Sequence, residues 1–138
     1  MRKILIFIVT ILLCSCISIG DSFEKSYYEK ISGIKFPDNY KLLETFDNGE
    51  WLTGTVLMID NATLKNFVAD NLFDTIKSTN ELHFLSNSYL KEYKAEFHGI
   101  TNIFYLSKSR DKNNWTYIVD LNKNILWTEI SYPDYGGR

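Results

Sequence analysis

The chain has 138 residues, of which 45% are hydrophobic, 15% aromatic and 23% charged, with 15 basic against 17 acidic side chains. That is enough apolar material for one domain, and with only 2 prolines and 7 glycines it does not have the composition of a disordered segment. A formal net charge of -2 excludes a generally basic nucleic-acid binder, and 2 cysteines exclude a disulfide-dense scaffold.

Arg2 and Lys3 open the chain with positive charge, and residues 4–13 are apolar apart from Thr10. This run is about half of what a bilayer span needs, so it reads as the core of a signal peptide. It ends in Leu13-Cys14-Ser15-Cys16. The pattern resembles the lipobox of bacterial lipoproteins, with an aliphatic residue three positions before a cysteine and a small residue directly before it. Cys16 fits that pattern. Cys14 does not, because the bulky Leu13 precedes it.

The resemblance covers the leader alone. It implies cleavage before Cys16 and a diacylglycerol thioether on that sulfur, hence palmitate-type acyl chains anchoring the protein in a bacterial cell envelope. Ile17, not an acidic residue, follows Cys16, which by the same resemblance points to the outer rather than the inner membrane. Cleavage would remove two basic side chains and no acidic one, leaving a more acidic chain with Cys16 as its single cysteine. The expected organisation is therefore a signal peptide over 1–15, a lipidated tether over 16–22 and one domain over 23–138.

Within the domain, Ser22 is placed to cap a helix from Phe23 to Ser32. Phe23, Tyr27 and Ile31 share a face, and Gly33 is placed to stop it. Phe36-Pro37-Asp38-Asn39 has turn chemistry. Residues 40–46 and 51–59 read as two strands around Asn48-Gly49, a strong hairpin signal. Gly54 inside the second strand predicts a bulge or close packing.

Asp60-Asn61 then offers a cap for a helix. Leu64, Phe67, Val68, Leu72 and Ile76 recur at its period, which predicts an end between Phe73 and Lys77. Residues 78–99 carry no clear period, and 89–97 reads as a weak helix through Tyr89, Tyr93 and Phe97. A meander closes the chain, with strands over 101–107, 115–121 and 125–131, polar turns over 110–114 and 122–124, and a tail over 132–138. The fold class expected is α+β: an antiparallel sheet of about five strands in the order ββ-α-βββ, with helices on one face.

Known catalytic and metal-binding patterns do not occur. His83 and His98 lie fifteen apart without metal-ligand spacing, so neither metal nor cofactor is expected. No G-x-S-x-G elbow and no phosphate loop is present. The aromatic surplus is the more informative feature. Trp115, Tyr117 and Trp127 on neighbouring strands, with Tyr132 and Tyr135 in the tail, would form a platform for a partner if one sheet face were open. The expected function is a lipid-anchored, non-catalytic binding module for an envelope protein, a toxin or a glycan, with no nucleic-acid partner. The alternative is a small envelope hydrolase in which His83 or His98 meets a carboxylate.

Overall fold

The computed structural model describes residues 23–48, 52–78, 81 and 101–131. Short polar turns between β-rich segments force antiparallel pairing, and the described residues form one six-stranded antiparallel sheet. In chain order the elements are α1 (Lys25–Ser32), β1 (Lys41–Asp47), β2 (Leu52–Met58), α2 (Asn61–Asp70), β3 (Asp74–Thr75), β4 (Ile103–Arg110), β5 (Asn113–Asp120) and β6 (Ile125–Ser131). Across the sheet the order is β1-β2-β6-β5-β4-β3. The α+β class therefore holds. The count of five and the simple ββ-α-βββ order do not, because the two-residue β3 pairs with β4 and forms one edge.

Alternation along the strands builds two buried layers. On one face, Leu57, Leu106, Trp115, Tyr117, Val119, Leu126 and Ile130 pack with Tyr28 from α1 and Leu64 and Phe67 from α2. Phe36, in the α1–β1 connection, stacks edge-on against Tyr117 at 5.3 Å between ring centroids. On the opposite face, Leu52, Val56, Ile76, Ile103, Ile118 and Trp127 form a second cluster. Both helices thus serve the same face, as their apolar stripes predict.

The helices differ in how they are held. α1 starts at Lys25, two residues later than expected, after Glu24, whose side chain makes no cap. Ser22 lies outside the described residues. Tyr28 and Ser32 form its most buried stripe, while Phe23, Tyr27 and Ile31 are only partly buried. Gly33 ends it as expected, at φ 76°, with its N–H donating to the Glu29 carbonyl at 2.8 Å. α2 begins at Asp60, whose carboxylate accepts the Thr63 N–H at 2.9 Å.

That helix stops at Asp70, short of the expected 73–77. Leu72 takes a left-handed φ of 56°, and Phe73 N–H donates back to the Val68 carbonyl at 3.3 Å. This is the Schellman closure that glycine usually makes. Leu72 is consequently 78% exposed, and Ile76 packs on the far face of the sheet instead of continuing the helical stripe.

Other boundaries shift for local reasons. The register break lies in β1, between Leu42 and Glu44, and not at Gly54, which is buried between Phe46 and Glu129 in regular pairing. The β4–β5 turn shrinks from five residues to Asp111-Lys112, both at positive φ (50° and 70°). That is the two-residue hairpin geometry whose twist matches the strands, and it lengthens β4 to Arg110 and starts β5 at Asn113. The expected weak helix over 89–97 lies outside the described residues.

Candidate functional site

The two edges of the sheet are built differently. β1 forms one, and it carries the bulge at Leu43 together with Lys41, Glu44 and Asp47. The bulge breaks the regular row of outward backbone groups, which is a common guard against strand addition. On the other side, β3 covers β4 only at Phe104 and Tyr105. The chain enters β3 directly from the left-handed Leu72, and the rest of β4 has no strand beside it among the described residues.

Hydrogen bonding fixes which groups β4 turns outward. The Ile76 N–H donates to the Ile103 carbonyl from the β3 side at 3.2 Å, whereas the Leu121 N–H donates to the Asn102 carbonyl from the β5 side at 3.0 Å. Backbone direction alternates along an antiparallel strand. Odd residues of β4 therefore point outward, and Ser107 and Ser109 each present an N–H and a C=O at the edge. Residues 107–110 are all exposed. Their ladder with β5 is regular through Arg110↔Asn113, so the strand is held extended.

Charge gathers at the same place. Lys108 and Arg110 share the helix-side face of β4. Arg110 reaches the end of α1, where its Nη2 donates to the Lys30 carbonyl at 3.1 Å and the Ile31 carbonyl at 2.7 Å. These are carbonyls that a helix C-terminus leaves without intrahelical donors. The guanidinium also lies 6.0 Å from the centre of the Trp115 ring, within cation–π range. This clasp sets Arg110 against the Lys30 end of α1, with Lys108 on the same face of β4, Lys112 in the adjoining turn and the Asp111 carboxylate 3.8 Å from the guanidinium.

The remaining polar features are structural in their geometry. Glu29 is held below the usual carboxylate range chiefly by the Lys35 ammonium 3.0 Å away, with help from the Phe36 N–H at 2.9 Å. Lys25 pairs with Asp38, lowering the acid and raising the base. Asp60 is lowered by its bonds to the Thr63 hydroxyl and N–H. Burial pushes the Tyr28 phenol up to about 12 and raises Tyr117 as well. Neither phenol is set up as an acid or base near neutrality.

At the far end of the sheet, Asp120 accepts from the Asn122 and Lys123 N–H groups, and Asn61 donates to the Leu121 carbonyl at 2.7 Å. These bonds tie the α2 N-terminus to the β5–β6 turn. Nearby, an open groove of about 320 Å³ is lined by Asn39, Tyr40, Lys41, Met58, Ile59, Asp60 and Asn124. Its one carboxylate, Asp60, is occupied in capping α2. Among the described residues no group of three metal-ligating side chains comes together.

The three described residues of the expected aromatic platform are buried. Trp115 is 4% exposed, Tyr117 0% and Trp127 1%. Trp115 and Tyr117 lie under the helices, and Trp127, opposite Ile118 in the ladder, faces the other way. Tyr132, Tyr135, His83, His98 and Cys16 lie outside the described residues. The β4 corner was missed because its residues, Ser107 to Lys112, read individually as a strand end and a turn. The signal was the run of three cations within five positions.

Comparison of the chain with protein-family models, with curated proteins and with solved structures finds no match. Among the described residues no helix is long and apolar enough to cross a membrane.

Proposed function

We propose that this chain is a lipid-anchored protein of the bacterial cell envelope, tethered through Cys16, that works as a non-catalytic binding module. The observation that carries the reading is the exposed edge of β4 beyond Tyr105, which no strand covers among the described residues. Four outward backbone groups on an extended, exposed strand, with cations beside them, make a surface for engaging a partner chain. They do not converge on a reaction centre. The Leu13-Cys14-Ser15-Cys16 sequence supports the anchor, and Ile17 after it favours the outer membrane.

A tether of a few residues at about 3.5 Å each would hold the domain within roughly 20 Å of the bilayer. Several acyl chains, each CH₂ worth about 0.8 kcal/mol when buried, make such attachment stable. Substituting Cys16→Ser should abolish incorporation of labelled palmitate and move the protein from the membrane to the soluble fraction. Retention of the Cys16→Ser protein in membranes would refute the anchor.

A further inference from the structure

Resting on that binding reading, we infer that the outer edge of β4 over Ser107–Arg110 takes up an acidic segment of a partner protein in extended form, adding it to the sheet as a further strand. Strand addition needs an edge whose backbone groups point outward and whose register is unbroken. β4 meets both conditions, since its pairing with β5 runs from Ile103 to Arg110 without a shift. The β1 edge is interrupted at Leu43. Main-chain bonds to Ser107 and Ser109 supply the attachment. Side-chain charge then selects the partner.

That charge argues against a second copy of this chain on the same edge. With the outward groups of Ser107 and Ser109 paired about a two-fold axis, one register places Lys108 opposite itself. The next places Lys108 opposite Arg110. The third sets Ser109 against Tyr105, which β3 already occupies. Like charges directly opposite across strands are destabilising. An incoming strand with carboxylates at alternate positions meets Lys108, and the field of Arg110 and Lys30 behind it, without that penalty. Ser107, whose hydroxyl lies 3.1 Å from that of Thr116, and Ser109 leave the other face polar and uncrowded.

The test uses the full-length protein and a short synthetic peptide alternating glutamate with threonine. Binding is read by fluorescence anisotropy and by amide hydrogen exchange. The expected result is saturable binding that weakens with salt, slows exchange at the Ser107 and Ser109 amides, and falls at least about tenfold in both Ser109→Pro and Lys108→Glu. Proline at 109 removes an outward N–H and leaves the β5 ladder intact. Lys108→Glu keeps the backbone and tests charge alone if the proline variant folds poorly.

Equal binding of a lysine–threonine peptide, or binding indifferent to both substitutions, overturns the inference. So does Lys108-dependent attachment to phosphatidylglycerol vesicles that Ser109→Pro leaves unchanged, which would assign the corner to lipid headgroups. Concentration-dependent self-association abolished by Ser109→Pro would assign the edge to a second copy. An envelope partner that crosslinks elsewhere on the domain would overturn this inference while leaving the binding reading in place.

Discussion

The two edges of this sheet lie four strands apart, about 19 Å at ordinary strand spacing, and solve the same problem in opposite ways. β1 is seven residues long and would be a ready template for unwanted pairing, yet a bulge puts Leu43 out of register and charged side chains flank it. β4 is longer by one residue, regular throughout and, among the described residues, without a neighbouring strand beyond Tyr105. An edge left regular while its counterpart is broken is the better place to look for function. The β4 edge is also braced from behind, where Arg110 ties it to the end of α1.

If the edges differ as described, leucines on them should differ most. Leu106 is 3% exposed and packs beneath the helices, whereas Leu43 is 41% exposed at the bulge. Leu106→Ala should destabilise the domain by about 2–5 kcal/mol. Leu43→Ala should stay within about 0.5 kcal/mol. Urea denaturation of the two variants measures both, and similar losses would break the comparison.

The brace behind β4 comes next in size. Arg110→Ala leaves the Lys30 and Ile31 carbonyls without their donor and removes the contact with Trp115. With a half-exposed side chain, the expected loss is about 1 kcal/mol. Arg110→Lys should recover only part of it, because an ammonium cannot reproduce the planar guanidinium fork. Full recovery by lysine would show that charge alone matters there.

Smallest, and of opposite sign, are the effects at two strained turns, one before β3 and one after β4. Leu72 and Lys112 hold left-handed backbone at φ 56° and 70°. Glycine relieves that strain but also loosens the unfolded chain. Leu72→Gly and Lys112→Gly should each raise stability by about 0.5 kcal/mol. A fall in melting temperature for either would show that its side chain holds the turn in place.

Much of the sheet was legible because its turns announce themselves. Asn48-Gly49 separates β1 from β2, and Asp60 and Gly33 mark a helix start and a helix end in the expected places. The departures have physical reasons. β3 is too short for any periodicity to show. α2 ends at a leucine in a conformation normally left to glycine, so the apolar period ran on through residues that no longer follow it.

The burial of Trp115, Tyr117 and Trp127 is a matter of parity and cover. Trp115, Tyr117 and Val119 do share a face, but alternation cannot say which face the helices occupy. Trp127 sits in Ile125-Leu126-Trp127, where consecutive apolar residues are buried on both faces and no alternation marks the register. The β4 corner escaped notice because unpaired backbone groups are a property of the strand order, which the sequence does not display.

The most direct test of the contrast between the edges is photo-crosslinking in living cells, from a photoreactive residue placed at position 109 of the full-length protein and, separately, at position 43. The account predicts that the probe at 109 attaches to an acidic, extended segment of an envelope protein, identified by mass spectrometry of the joined peptides, and that the probe at 43 gives no such product. A partner captured equally from both positions, or from 43 alone, would contradict it.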